Sequence, residues 1–583
     1  MGIRYVLNSL ASILILVFCA LFYAQFELCV HAFQKPRNEN LTQKEKSRRD
    51  KESLERRSAI IRLQAAGEKA KTLDDSIAKT EVLASVADAL WEQNETRARA
   101  LFTAAFESIE GIKLDPKFDQ REAVARRRGG KFGPMFQLRS SVLERVARRD
   151  FKLAKTLRQS VNTRSEASEN DGVRKAELSQ LYLNLAVAVA KTRPEEALRL
   201  LRLSFNEINP PLIFALLRIR ADNPPLADQV FIEALSSISA TAPEHFESFA
   251  IYVLPTEEDR FYGRHPMDDP SRAVSIKVFL DYVFTRLIQT ASNPAGTEID
   301  AAQSETIYHT LRDILPLFQR LQPERVSLVN QRMGAMIAHM SPGDARAAET
   351  VHVEKVDDLI RQAEATVGER KRTILLMRAS DAAMQQNDLE KALSVAEIIS
   401  DLYERKIQTS LVLFRAAMKE LQEGRRERAY TFARQIEFLP QRVVVFTRLA
   451  EELWEDKQTD AAESKTTEIW VWVNKADNTP QKIDAMLRLT ALVAARDSVR
   501  AFEWLHTTAR ALNTTDFSPA PVDLNRISVE LQITLDMLDL ESSFGPLAKV
   551  DFERAFAIAH SLTKPEAALL AETIVCTRVL QAR

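Results

Sequence analysis

The stretch of this sequence with the most varied set of chemically reactive side chains is "PTEEDRFYGRHPMDDPSRA", at positions 255–273. Five polar or charged side chains fall within eight positions of it: Tyr262, Arg264, His265, Asp268 and Asp269. The chemistry open to such a set is ligand binding or acid/base catalysis. Because prolines flank it, the stretch is predicted to be a long loop, and loops presented by a rigid scaffold carry function disproportionately.

We predict that these five residues form a binding loop. The alternative is a polar connector between two helical segments. No catalytic residue is assigned, because closeness in sequence does not assemble an acid/base pair in space.

Other reaction motifs are missing from the sequence. The eight histidines show neither the H-E-x-x-H spacing nor a pairing with cysteine, so the sequence predicts no metal site and no cofactor. The basic stretch "ARRRGGKFGP" at 125–134 lacks the Gly-Lys-Ser/Thr ending of a phosphate loop and is interpreted as a solvated connector. Lys and Arg number 80 against 81 Asp and Glu, a balance that argues against a nucleic-acid partner.

The elements that must position the loop are predicted to be helices. Only 14 of the 583 residues are glycine, whereas tight turns and hairpins need glycine for positive φ angles. Hydrophobic residues make up 45% of the chain and charged residues 28%, which predicts a substantial core. The composition therefore indicates helices joined by short polar links.

One pattern recurs along the chain. In "TILLMRASDAAMQQNDLEKALSVAEII" (373–399), apolar residues recur at spacings of three and four on either side of the polar "QQND", which predicts a helical hairpin. Related copies start near residues 83, 181, 421, 449 and 486. Four positions of one copy match four of a distant copy: Val86, Ala87, Leu90 and Trp91 match Leu449, Ala450, Leu453 and Trp454. Stacked hairpins share a core that a single hairpin cannot make.

Alanine returns near the start of the second helix of each copy. The positions are Ala197, Ala392, Ala429, Ala462 and Ala501. A small side chain lets the two helices approach closely, and the last four alanines are separated by 37, 33 and 39 residues. Helical-hairpin solenoids have periods of about 34 to 47 residues.

The C-terminal half thus resembles a degenerate tetratricopeptide-type array with HEAT-like irregularity in repeat length. The resemblance covers 373–511 well, 83–235 loosely and the middle poorly. It implies an all-α fold, an α-solenoid of stacked antiparallel helical hairpins that is irregular in the middle. Most copies lack the glycine and proline of the tetratricopeptide pattern, so no peptide-binding residues are transferred.

The N-terminus has the layout of a secretory signal peptide: Arg4, an apolar run over about 5–24, and the small-x-small sequence Val30-His31-Ala32. The alternative is an uncleaved membrane anchor, because nine Lys or Arg residues follow the run between Lys35 and Arg57. Six segments are predicted: a signal peptide or anchor (1–32), a charged lead segment (33–75), an N-terminal helical repeat segment (76–250), a long polar loop (251–270), an irregular helical middle segment (271–368) and a C-terminal tetratricopeptide-like segment (369–583).

The function expected from these features is a non-catalytic, exported scaffold that binds a protein or peptide partner on a solenoid surface. Membrane contact is expected only if the N-terminal segment stays uncleaved. The alternative is a helical-toroid or superhelical enzyme acting on envelope polysaccharide or peptide, since abundant Asp and Glu could supply paired carboxylates.

Overall fold

The computed structural model describes residues 43–111, 134–164, 171–205, 210–237, 244–255, 269–289, 301–337, 356–517 and 538–581. Within these ranges the chain forms twenty-five α-helices and no β-strand. The structure therefore confirms the all-α fold of stacked helical hairpins.

The first thirteen helices cover the chain up to residue 337. They are α1 (Gln43–Ala70), α2 (Ser76–Leu90), α3 (Glu95–Gly111), α4 (Pro134–Arg149), α5 (Phe151–Arg164), α6 (Asp171–Val189), α7 (Pro194–Arg202), α8 (Pro210–Asp222), α9 (Pro224–Ser237), α10 (Glu244–Val253), α11 (Pro270–Val283), α12 (Ala301–Leu321) and α13 (Val326–Ile337). A π-helical turn, Phe284–Gln289, extends α11, and a 3₁₀ turn, Pro323–Arg325, precedes α13.

The other twelve helices cover the described chain from residue 356 onward. They are α14 (Val356–Ala365), α15 (Glu369–Gln385), α16 (Leu389–Glu397), α17 (Leu402–Gln422), α18 (Arg426–Gln435), α19 (Leu439–Glu455), α20 (Thr459–Lys475), α21 (Pro480–Ala494), α22 (Ser498–Thr514), α23 (Leu540–Val550), α24 (Phe552–His560) and α25 (Pro565–Gln581).

Two kinds of sequence signal place the helix starts. Aspartate side chains cap several of them: the carboxylate of Asp388 accepts the backbone N–H of Lys391, and Asp497 does the same for Arg500. Proline occupies the first turn of others, including α7, where the missing N–H would have had no helical partner. The boundaries of the hairpins are thus encoded locally.

Three successive hairpins turn in the same way. Asn387, Gly424 and Lys457 adopt positive φ angles of 62°, 74° and 62°. In each case the next residue donates its backbone N–H back to a carbonyl five positions earlier, at 2.8 to 2.9 Å. This is the hydrogen bond of a Schellman motif, which ends a helix through one left-handed residue. The repetition seen in the sequence is therefore a repetition of backbone geometry.

The recurring alanines lie where the repeat predicts. All five, Ala197, Ala392, Ala429, Ala462 and Ala501, are fully buried. The paired copies also agree: the first three residues of each matched set are buried, and the tryptophan that ends each set is half-buried beneath an arginine. The guanidinium carbon lies 5.7 Å from the ring centroid of Trp91 and 4.1 Å from that of Trp454. Matching positions in sequence thus have matching environments.

The chain divides into two units, Met1–Ser58 and Ala59–Arg583. In the first unit, the described residues 46–54 are exposed along the charged half of α1. The second unit holds the core, to which the rest of α1 contributes Ala59, Leu63 and Ala66. Part of the charged lead segment is therefore core-forming.

Within the second unit, the first helices of successive hairpins pack on one another. In order of contact the row is α15, α17, α19, α21, α23, α25, α2, α4, α6, α8, α10 and α12. We call the exposed side of this row the first-helix face. The row joins the C-terminal hairpins to the N-terminal ones, because α25 packs directly on α2.

Side chains also join the ends of this unit. The Arg62 guanidinium lies 4.0 Å from the ring centroid of Phe556 and donates a hydrogen bond of 2.9 Å to Glu553. One buried apolar cluster accordingly contains residues from Ala59–Met336 and from Leu413–Leu580, whereas 356–412 contributes a second, smaller cluster. The main core therefore passes from the C-terminal hairpins to the N-terminal ones at this junction.

Candidate functional site

The predicted binding loop is only partly within the described residues. Tyr262, Arg264, His265 and Asp268 lie outside them, so their role stays a prediction. Asp269 is described, and its Oδ2 atom accepts a hydrogen bond of 2.5 Å from Nη2 of Arg220 at the end of α8. The structure thus connects the C-terminal end of the loop to a helix about fifty residues earlier in the chain.

Arg220 belongs to a buried polar cluster. It also donates to Asp228 and, at 3.1 Å, to the hydroxyl oxygen of Tyr252. The Oδ1 atom of Asp228 accepts two further hydrogen bonds of 2.8 Å, from the Tyr252 hydroxyl and from Oγ of Ser275. Burial raises the pKa of Tyr252, and the negative charge of Asp228 raises it further. Tyr252 therefore stays a neutral hydrogen-bond donor.

A second arginine holds the N-terminal flank of the loop. Arg272 in α11 is buried, and its Nη2 atom donates to the carbonyl oxygens of Tyr252 at 3.1 Å and Leu254 at 2.9 Å. Together Arg220 and Arg272 tie the residues before position 256 to those after position 268. The loop predicted from sequence therefore begins and ends at one fixed base.

A polar cleft with an extensive lining lies elsewhere, on the first-helix face where α25 packs on α2. It is a cleft of about 440 Å³ formed by α2, α4, α25 and the start of α23. Its lining residues are Glu81, Ser85, Asp88, Ala89, Arg145, Arg148, Leu538, Asp539, Leu540, Glu541, Leu570, Thr573, Ile574, Thr577, Arg578 and Gln581.

Ion pairs organise the polar side chains of the cleft. Arg145 on α4 donates to both Oε2 of Glu81 at 2.8 Å and Oγ of Ser85 at 2.5 Å on α2. At the other side, Arg578 on α25 donates to Glu541 on α23 at 2.5 Å. Each pair crosses between two neighbouring first helices. The charged groups are thus held in place by the packing of the row.

Apolar side chains form another part of the lining. Leu540, Leu570 and Ile574 contribute hydrocarbon surface to the same cleft as the two ion-paired groups. A cleft that combines apolar area with fixed charges of both signs can bury aliphatic side chains of a ligand while orienting its polar groups. It is suited to a polypeptide segment rather than to a small anion.

Acid/base catalysis receives less support from the cleft. Burial raises the pKa of Glu144, Glu177 and Glu451, but none of these three carboxyl groups lines the cleft. Two of the carboxylates that do line it, Glu81 and Glu541, are hydrogen-bonded to arginine. Among the described residues, no group of three or more His, Cys, Asp or Glu side chains is arranged to hold a metal ion.

Sequence reasoning missed this cleft. Its lining combines residues 81–148 with residues 538–581, and nothing in either stretch shows that the two meet. The polar positions of α2 that line the cleft, Glu81, Ser85 and Asp88, fall at helical spacing, which marks one face of a helix without indicating its neighbour.

Comparisons with known proteins add little. No protein-family model matches the chain, and no curated protein matches it. One solved structure that it resembles is described as a "Circular tandem repeat protein with novel repeat topology and enhanced subunit contact surfaces". The alignment has 13% sequence identity, covers 90% of this chain and 96% of that one, and gives a TM-score of 0.20, too low to support a statement about function.

Proposed function

We propose that this protein is a non-catalytic scaffold that binds a polypeptide partner on its first-helix face, with the cleft between α2, α4, α23 and α25 as the principal site. The observation that carries the proposal is the lining of this cleft, which combines apolar side chains with ion pairs that cross from helix to helix. The helical-repeat architecture is consistent with such a role.

The size and chemistry of the cleft support a side-chain anchor site. A volume of about 440 Å³ is enough for one or two large side chains of a partner. Protein interfaces concentrate their binding energy in a few such desolvated pockets, surrounded by polar contacts. The fixed arginines and carboxylates would select the direction and polarity of the bound segment.

An enzyme acting on envelope polysaccharide or peptide is the second candidate, and one observation favours it: four carboxyl groups, Glu81, Asp88, Asp539 and Glu541, line one cleft. Glycoside hydrolysis uses two carboxyl groups about 5 to 10 Å apart, one of which must be protonated. The arginine partners of Glu81 and Glu541 favour ion-paired carboxylates, which is the arrangement of a binding site.

We also propose that the protein is exported, through cleavage after Ala32, with anchoring through residues 5–24 as the alternative. This proposal rests on the sequence pattern alone, because residues 1–42 lie outside the described part of the chain. No described helix is long and apolar enough to cross a membrane. Intact-mass measurement of the protein from its native host tests the proposal: a chain beginning at Phe33 is expected, and one that retains residues 5–24 would contradict cleavage.

Photo-crosslinking in the native host tests the scaffold function. A photoreactive amino acid is placed at Thr577 in the cleft and, as a control, at Thr507 on the second helix α22. We expect a discrete protein adduct from position 577 and none from 507. Filling the cleft with Ala89→Trp should remove the adduct, whereas the matched change Ala104→Trp on α3 should leave it.

Two outcomes would contradict the scaffold proposal. One is an identical adduct pattern from both positions, or a pattern that Ala89→Trp does not change. The other is hydrolysis of envelope glycan or peptide by the purified protein, abolished by Glu541→Gln, which would establish the enzyme instead.

A further inference from the structure

A row of arginines follows one register of the C-terminal hairpins. In nine hairpins of the described chain, the residue just before the second helix donates its backbone N–H to a carbonyl near the end of the first helix. In four consecutive hairpins these carbonyls belong to Ala383, Glu420, Leu453 and Val493. The residue five positions before each is an arginine: Arg378, Arg415, Arg448 and Arg488. We call these four residues the arginine row.

The other five hairpins show that this register faces outward and does not by itself require arginine. Their residues at the same register are Ser85, Ser141, Asn184, Phe214 and Ser542. None of the nine side chains is buried, and Ser85 lines the cleft. The register therefore lies on the first-helix face, and arginine occupies it only in four neighbouring hairpins.

Three of the four arginine side chains are well exposed and take part in surface ion pairs. The side chains of Arg415, Arg448 and Arg488 are 46%, 39% and 57% exposed. Arg415 donates to Asp381 of the preceding first helix at 2.8 Å, and Arg488 donates to Asp484 at 2.8 Å. Each guanidinium has five N–H donors, and exposed ion pairs of this kind are weak. A ligand carboxylate can therefore compete for them.

Acidic residues beside the row reduce its positive field. Arg448 lies 3.3 Å from Glu452 and 3.8 Å from Glu451. Burial raises the pKa of Glu451. Each of the first three arginines also has an aliphatic residue four positions earlier on the same helix face; two of these, Ile374 and Val444, are 39% and 37% exposed. The ligand surface thus consists of arginines beside a line of aliphatic side chains.

The packing of the first helices on one another sets the spacing expected for the arginine row. Helices that pack directly have axes about 8 to 10 Å apart. A polyproline II chain rises about 3.1 Å per residue with three residues per turn, so every third side chain lies on one side at intervals of about 9.3 Å. In a β-strand, by contrast, side chains three positions apart lie on opposite faces.

We propose that the arginine row binds a polyproline II segment that carries an acidic residue at every third position. This names the partner class of the first-helix face and so rests on the proposed function. The ligand carboxylates bind the four guanidinium groups, and prolines or aliphatic residues between them cover the exposed aliphatic side chains.

Fluorescence anisotropy with three labelled ten-residue peptides tests this. The first is Glu-Pro-Pro-Glu-Pro-Pro-Glu-Pro-Pro-Glu; the second has the same composition with its four glutamates adjacent; the third replaces every glutamate of the first by glutamine. If each arginine contact contributes about three-fold in affinity, the first peptide should bind about ten-fold tighter than the second, which can reach one or two arginines. The third should not bind measurably.

Variants of the full chain identify the surface. Changing all four arginines of the row to glutamine should abolish binding of the first peptide, and raising the salt concentration should weaken it. A control variant with the same change of charge on second helices, Arg428→Gln, Arg434→Gln, Lys475→Gln and Arg510→Gln, should bind as the unmodified protein does. Circular dichroism checks that both variants are folded.

Several results would overturn the proposal. Equal affinity for the peptide with periodic glutamates and the peptide with adjacent glutamates would show that binding depends on net charge and not on the spacing of the carboxylates. Unchanged binding by the arginine-row variant would place the ligand elsewhere, and tighter binding of heparin or single-stranded DNA would point to another class of polyanion. None of these results affects the crosslink at Thr577, which tests the scaffold function separately.

Discussion

The turns after α17 and α19 offer a matched pair of substitutions with opposite expected effects. Gly424 and Lys457 occupy equivalent positions with φ angles of 74° and 62°. A Cβ atom built on Gly424 would meet no atom within 4 Å, so Gly424→Ala introduces no clash. Its cost is that of a left-handed backbone at a residue with a side chain, about 1 to 2 kcal/mol. Lys457→Gly removes the same cost, and the greater freedom of glycine in the unfolded chain offsets about 0.5 to 1 kcal/mol of the gain.

We therefore expect Gly424→Ala to destabilise its hairpin by about 1 kcal/mol and Lys457→Gly to stabilise its own by up to about 1 kcal/mol. Stability in a repeat array is a sum of local terms, so the effects should be local. Hydrogen exchange followed by mass spectrometry measures them: amides at the ends of α17 and α18 should exchange about five-fold faster in the first variant. The double variant serves as the control and should show both effects independently.

Two results would refute this reasoning. If Gly424→Ala left exchange unchanged, the positive φ angle would carry no energetic cost at this turn. If Lys457→Gly accelerated exchange, the contacts of the lysine side chain would outweigh the strain of its backbone.

Three further predictions concern burial. Ala462→Leu forces extra atoms into a fully buried site and should destabilise α19–α20 by about 1 to 3 kcal/mol, measured by thermal or urea denaturation. Ser464→Leu at an exposed position of the same helix is the control and should be nearly neutral. Equal effects of the two substitutions would contradict the close approach of the two helices. Cys576 is buried and its pKa is raised to about 12, so iodoacetamide at pH 8 should label its thiol only after unfolding. Rapid labelling of the native protein would contradict the burial of this thiol in α25. Burial raises the pKa of Glu144, so the folded state loses stability as pH rises through that pKa. Glu144→Gln should therefore stabilise the protein at pH 7, and the difference in stability between variant and unmodified protein should vanish below about pH 4. A difference in stability that grew on acidification would contradict the raised pKa.

The sequence was informative wherever an answer depended on neighbours along the chain. The spacing of apolar residues predicted the hairpins, and the recurring Ala392, Ala429, Ala462 and Ala501 predicted where the two helices of each hairpin approach. Both follow from local periodicity, because the face that a helix buries is encoded within two turns. The long polar loop predicted at 251–270 remains a prediction over 256–268, which lie outside the described residues, although Asp269 has a described partner in Arg220.

The cleft and the arginine row required the structure for different reasons. The cleft depends on which hairpins become neighbours, and periodicity along the sequence does not predict this. Glu81 and Arg578 line the same cleft although they lie almost five hundred positions apart in the sequence. The four arginines stand 37, 33 and 40 residues apart, intervals that resemble those of the alanines. Their common register became visible only when the hairpins were aligned by their backbone hydrogen bonds. In the first three turns the N–H donor lies five residues after its carbonyl acceptor, whereas in the fourth turn it lies four residues after it.

The packing of α25 on α2 has a consequence for how the protein is made. During synthesis the N-terminal hairpins leave the ribosome first, yet one side of α2 is covered by a helix that is translated almost five hundred residues later. Until then Arg62 and the apolar side of α2 lack the surfaces that they contact in the folded protein, which leaves a long interval in which chaperones can act on the unfinished chain. Ending the chain before α25 should for the same reason damage the N-terminal hairpins as much as the C-terminal ones.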